Sequence, residues 1–344
     1  MLHLFSSLTV VFTAAAVVRA TYPASLFYQH PTNLFLENIA VRPSNQFLLT
    51  SVVSPTLFSL DARAPNVTTS WSEIHTFPNA TGLTGITEYA PDQFAVVSSV
   101  LNTSTRTDEP GSVFIWRVDL SRANSHPHIR RIAHIPESTG ANGLSRVPGL
   151  PDVVLLADSV AGSVYEINMR TGATRVLIQD ALLEPVGPVP ATGINGLHVD
   201  PHAQFAYAIN SAQGTFLRIP LAVQHSAKLA VTGPVEHLAT IPFATPGGPD
   251  DFALDKHGRA WVTVHPGSFV VISPPKEEKN GTWVQEEAVD HPENVFVFPG
   301  PTAAAFGRAE GTEETVYVLT GTGQIIAVDT TAGSTPKRSA ARPF

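Results

Sequence analysis

Six polar residues, Glu37, Thr84, Asn142, Asn195, Asp250 and Thr302, recur along the 344-residue chain at separations of 47 to 58 residues, each opening a similar phrase. Brought together, two carboxylates and two amides make an oxygen-rich ring. Hard cations such as Ca²⁺ or Mg²⁺ take ligands of that kind, whereas Zn²⁺ favours His or Cys. A bound cation would also relieve the repulsion between Glu37 and Asp250. The chain has 13 histidines but no His-Glu-x-x-His spacing, and it has no cysteine. A Gly-x-Ser-x-Gly nucleophile elbow and a Gly-rich phosphate loop are equally missing. Taken singly, Asn-Gly and Pro-Asp are ordinary turn formers whose side chains satisfy their own backbone. Taken as a set, they describe either a ring of turns or a metal or polar-substrate site, and we expect the site.

The elements that must position these residues repeat with them. After each polar opening comes a short apolar run, a turn and a β-rich run. Glu37 leads to Gln46–Ser51, Thr84 to Gln93–Ser98, and Asn142 to Val153–Ser159. Asn195 leads to Phe205–Asn210, Asp250 to Arg259–Val264, and Thr302 to Thr315–Thr320. Such a period marks a propeller rather than a sandwich. Each unit has room for two outer strands, as in Ser163–Ile167 and Ala173–Leu177 with Thr171-Gly172 between them. The expected fold is all-β: a six-bladed β-propeller of four-stranded antiparallel blades around a central channel. The segment Tyr22–Tyr28 precedes the first unit and supplies the strand that closes the last blade. Inner strands start at the channel, so the six openings converge there. Phe35, Phe252, Trp261 and Phe306 are expected to wall the channel mouth as a substrate pocket with Thr84 and Thr302; the alternative is that the aromatics pack between blades. Pro274–Asn280 reads as an exposed loop and the tail after Ala332 as frayed.

Composition fits one large core: 43% hydrophobic and only 15% charged residues. A net charge of −8 argues against a nucleic-acid partner. Residues 1–20, apolar from Leu4 to Val18 and ending in Val18-Arg19-Ala20, read as a signal peptide, with residues 21–344 as a single propeller domain. The apolar stretch is short for a membrane span, so no stable insertion is expected after cleavage. Sequons at Asn66, Asn79, Asn102 and Asn280 point to N-glycosylation and a secretory-lumen or secreted location. We expect a monomer that works on small molecules.

The phrases Glu37-Asn38-Ile39-Ala40-Val41, Ile194-Asn195-Gly196-Leu197 and Pro249-Asp250-Asp251-Phe252-Ala253-Leu254-Asp255 resemble the gluconolactonase/regucalcin family of six-bladed propellers, over roughly Leu34 to Val328. The resemblance implies one divalent cation (Ca²⁺ or Mg²⁺) held by Glu37, Asn195 and Asp250, with Asn142 near the substrate and no organic cofactor. In that family's lactonase chemistry the cation polarises an ester carbonyl and activates water, while Asp250 doubles as proton acceptor. Two positions depart from the pattern: Asn38 and Asp251 stand where the family has glycine, and a side chain there alters access to the cation. With the leader and sequons, these departures resemble a secreted fungal branch that includes hetero-Diels–Alderases of tropolone–sesquiterpenoid pathways. That resemblance implies cycloaddition of a tropolone quinone methide to a humulene-type alkene, with Asp250 and Asn142 as the groups acting on substrate. Such a reaction needs an apolar, water-excluding cavity and a donor at the dienone oxygen. Lactone hydrolysis and non-catalytic ligand binding are the competing readings.

Overall fold

The computed structural model describes residues 22–122, 126–187, 191–224, 228–275, 282–289 and 298–331. The leader, Asn280, most of the 274–280 loop and the tail after Ala332 lie outside those residues. Six antiparallel sheets follow one another along the chain, as the repeat requires. Blade 1 runs Ile39–Val41, Gln46–Ser51, Ser54–Asp61, Ser72–Thr76; blade 2 runs Gly82–Ala90, Gln93–Ser99, Phe114–Asp119, His128–His134. Blade 3 is Ala141–Val147, Leu150–Asp158, Ser163–Asn168, Thr174–Gln179, with Gly172 in the left-handed region (φ 78°) at the expected turn. Blade 4 is Ile194–Val199, Phe205–Asn210, Thr215–Val223 and Glu236–Thr240, with Leu229–Val231 added on the long third strand. Blade 5 is Gly248–Leu254, Ala260–His265, Ser268–Ser273, Val284–Glu287. Blade 6 takes Pro301–Phe306, Thr315–Thr320 and Gln324–Asp329 from the C-terminal end. Its outer strand is Ala24–Gln29, paired from Ala24↔Val328 to Gln29↔Gln324. The ring is therefore closed by the segment expected to close it.

The core is six wedges, one between each pair of neighbouring blades. Alternating strands in a propeller bury both faces against adjacent blades, which is why runs such as Val153–Ala157 are apolar without interruption. Near the axis, polar stitches join the blades. The Thr50 hydroxyl donates to the Thr84 carbonyl (2.7 Å), Thr84 to Ala141 (3.0 Å) and Ser159 to Ile194 (2.5 Å). Thr263 donates to the Thr302 carbonyl (3.0 Å) and Thr302 to Leu36 (2.8 Å), while Asn195 reaches the Asp250 carboxylate across the remaining junction. Among the described residues no helix is long and apolar enough to cross a membrane.

Candidate active site

The openings of the phrases sit where the inner strands bulge. Pairing with the second strand skips Thr84-Gly85, Asn142-Gly143, Asn195-Gly196, Asp250-Asp251 and Thr302-Ala303. In blade 1 the corresponding pair, Glu37-Asn38, precedes the ladder that begins at Ile39↔Leu49. A bulge releases a residue from the ladder and re-aims its side chain. Here the first residue of five of the six pairs lines a cavity of about 610 Å³ at the axis, a size suited to a small-molecule ligand.

Glu37, Thr84, Asn142, Asn195 and Asp250 all line that cavity, with Phe35, Val53 and Leu101 at its apolar part. Thr302 does not reach it. Its hydroxyl is held by the Leu36 carbonyl and the residue is buried, so it is a stitch between blades 6 and 1. Thr84 lines the wall, but its hydroxyl is likewise spent on Ala141. The aromatic expectation needs correction at three of four positions. Phe35 lines the cavity; Phe252 packs in the wedge between blades 4 and 5, and Trp261 and Phe306 in the wedge between blades 5 and 6. Strand alternation decides this, since these three point along the sheet normals toward neighbouring blades rather than toward the axis.

The polar groups form a connected set. The Asn195 amide donates to Asp250 Oδ1 at 2.5 Å and to the Ser211 hydroxyl at 3.0 Å. Asp250 Oδ2 lies 3.0 Å from His265 Nε2. Burial pushes the Glu37 carboxyl well up, and the charges of Asp250 and Asp251 push it further; the Arg106 guanidinium offsets part of this. Asp108, also in the lining, is raised to about 6 by burial although it accepts from the Ser99 hydroxyl (2.5 Å) and the Ala141 N–H (2.8 Å). Neither His265, Arg106 nor Asp108 belongs to the repeated phrase, so the repeat gave no signal for them.

Directly beneath, Asn38, Asp251 and His198 form a second layer. The Asn38 amide donates to Asp251 Oδ2 at 3.0 Å, and His198 Nε2 lies 2.9 Å from Asp251 Oδ1. Asn38 comes from blade 1 and Asp251 from blade 5. Blade 6 stands between them in the ring and has only Ala303 at that position. The two departures from glycine are thus one feature, a bond across the axis one residue below the cavity.

The site is short of positive charge, and Glu37, Asn195 and Asp250 can each offer oxygen, which fits a hard divalent cation. Both Asp250 oxygens face protein donors, so the fit requires Asn195 to present its amide oxygen in place of its nitrogen. Among the described residues no group of three or more His, Cys, Asp or Glu could hold a metal ion, so the amide is essential to such a site.

No family model matches the chain. It is 26% identical over 333 residues to a protein of Phoma sp. described as a hetero-Diels–Alderase, covering 89% of this chain and 88% of that one. A second protein so described, from Sarocladium schorii, is 25% identical over 326 residues, covering 86% and 77%. The resemblance read from the sequence holds. Among solved structures, regucalcin from Agrobacterium tumefaciens superposes with a TM-score of 0.57 at 15% identity, covering 92% of this chain and 98% of that one. A luciferin-regenerating enzyme gives 0.62 at 13%, covering 91% and 97%, and a protein described as a gluconolactonase gives 0.55 at 14%, covering 92% and 94%. At such identities these establish the shared six-bladed fold.

Proposed function

We propose that the chain is an enzyme of the pericyclic type, a hetero-Diels–Alderase joining a tropolone quinone methide to a humulene-type sesquiterpene. In this addition the quinone methide oxygen and its exocyclic carbon each form one σ bond to an alkene carbon. Two new σ bonds replace two π bonds, and no proton or leaving group departs. The protein therefore has to hold, orient and shield rather than attack. The observation that carries the reading is the axial cavity, which joins an apolar part at Phe35, Val53 and Leu101 to a polar end at Glu37 and Asn142, in a chain similar along most of its length to described hetero-Diels–Alderases. The two serines on its wall are engaged: Ser159 donates to the Ile194 carbonyl and Ser211 accepts from Asn195, which disfavours a serine nucleophile. The Asn142 amide has no side-chain partner among the described residues, so it is free to donate to the dienone oxygen as charge develops. The test is to generate the quinone methide in situ with humulene and compare product ratio and rate with and without purified protein. Enrichment of one cycloadduct, reduced at least tenfold by Asn142→Ala, is the expected result; an unchanged ratio overturns the reading.

The convergence of Glu37, Asn195 and Asp250 favours a second reading, lactone or ester hydrolysis. These three would hold one Ca²⁺ or Mg²⁺, which when bound supplies polarisation of a carbonyl oxygen. Asp250, beside His265, is then placed to accept the proton of water. Metal analysis of the purified protein and a lactone panel with added Ca²⁺ or Mg²⁺ test this reading. Entry into the secretory pathway is part of the proposal, supported by the apolar leader and by exposed Asn66, Asn79 and Asn102. Loss of mass on endoglycosidase treatment is the check.

A further inference from the structure

The hairpin that carries Arg106 lies outside the blade plan. Leu101–Asn102 pairs with Thr107–Asp108 as a separate two-stranded sheet, inserted between the second and third strands of blade 2. Both of its ends are tied to the cavity wall. The Asp108 carboxylate accepts from Ser99 and from the Ala141 N–H of blade 3, and the Asp108 N–H donates to the Thr139 carbonyl at 2.8 Å. Leu101 is bonded in both directions to the Thr81 hydroxyl, at 2.8 and 3.2 Å. Between these anchors Arg106 is held in the left-handed region at φ 56°, with its N–H on the Asn102 carbonyl at 2.8 Å. A non-glycine residue persists there when its surroundings dictate it, and such residues gather at functional sites.

Arg106 lines the cavity, yet its guanidinium has no ion pair or hydrogen bond to any described residue. Arg42, Arg175, Arg218, Arg259 and Arg308 are each paired with a carboxylate, and among the described residues that line the cavity Arg106 is the one Lys or Arg. The lining that Arg106 shares includes the apolar side chains of Leu101, on its own hairpin, Phe35 and Val53, and its charge acts across the cavity on the Glu37 carboxyl. We propose that Arg106 is a specificity-determining residue that anchors the acidic ring oxygen of a conjugated, otherwise apolar substrate. A guanidinium presents a planar fork of donors to such an oxygen, and charge-assisted bonds of this kind are the strong ones. Glu37, Asp108 and Asp250 in the same lining disfavour a ligand with several negative charges. The requirement for an acidic oxygen rests on Arg106 alone; the choice of a ring enolate rests on the cycloaddition reading.

The experiment is calorimetric titration of the full chain with tropolone and with its O-methyl ether, which has the same ring but cannot ionise, at a pH where tropolone is anionic. The wild type is expected to prefer tropolone at least tenfold. Arg106→Gln should weaken tropolone at least tenfold and leave the ether unchanged, and Arg106→Lys should keep part of the preference. Equal binding of the two probes, no binding of tropolone to the wild type, or unaltered selectivity in Arg106→Gln overturns the proposal. Loss of selectivity together with an unfolded variant is separated by thermal melting, with Arg106→Lys as the folded comparator. A protein that shows this selectivity but leaves the cycloadduct ratio unchanged refutes the reaction and keeps the anchor.

Discussion

Glu37 and Asp251 are both acidic, both buried and both carried where the inner strand of a blade begins, yet their surroundings are opposed. Asp251 is saturated: Oδ1 accepts the Phe252 N–H at 2.8 Å and faces His198, and Oδ2 takes the Asn38 amide. Glu37 faces the cavity, where burial first, and then the charges of Asp250 and Asp251, push its carboxyl up. One residue of travel along the strand separates a layer that holds the ring together from a layer that is left chemically unsatisfied. Burial alone therefore does not mark a reactive carboxyl; burial without partners does.

The deepest test of that contrast is the packing that makes the lower layer. A Cβ on Gly196 would lie 2.3 Å from Asp251 Oδ1 and 2.7 Å from its Cα, so glycine here is what admits the Asp251 side chain. Gly196→Ala is expected to lower stability by about 3 kcal/mol or more, as overpacking does. The urea midpoint reads it, and an unshifted midpoint would mean that the lower layer is loosely packed.

Asp108 sharpens the comparison from the cavity side. Its carboxyl is raised from 3.8 to about 6, so the folded protein keeps the proton that the unfolded chain releases. Stability should therefore fall as pH rises from about 4 to about 6, and the penalty should be absent below that window. At about 1.4 kcal/mol per pKa unit the full effect is on the order of 3 kcal/mol. Unfolding followed across this window in wild type and Asp108→Asn isolates it, because other acids contribute equally to both. Parallel curves would sink the assignment.

For the lower layer, Asn38→Ala and Asp251→Ala should each destabilise, and a double-mutant cycle should return a coupling of about 1–2 kcal/mol. Additive losses would mean that the bond across the axis contributes nothing of its own.

Much of this was legible in the chain. The period located the blades, and the polar opening of each phrase put Glu37, Asn142, Asn195 and Asp250 on one cavity because a repeat with constant phase must converge at the axis. The departures at Asn38 and Asp251 were visible too, but a sequence does not tell which departures touch across 213 positions. The aromatics misled for a related reason. Phe252 lies two residues past Asp250, but the bulge between Pro249 and Phe252 shifts the alternation and sends it into a wedge. Arg106 was hidden because it sits on an insertion, where the period carries no information.

The smallest effect has the opposite sign and is the most diagnostic. Removing the ionisable group at Glu37 while keeping its shape, Glu37→Gln, takes away a charge that burial, Asp250 and Asp251 all disfavour. The variant should be more stable than the wild type by about 1 kcal/mol at neutral pH, the usual gain when a site residue is made inert. Because the raised carboxyl costs stability only once the unfolded chain's carboxyl ionises, the gain should grow as pH rises and vanish in acid. In the proposed cycloaddition assay the same variant is expected to enrich one cycloadduct less than the wild type, because Glu37 lines the polar end of the cavity. A gain in stability paired with a loss of function marks a residue kept for chemistry, whereas a loss of both would move Glu37 into the company of Asp251.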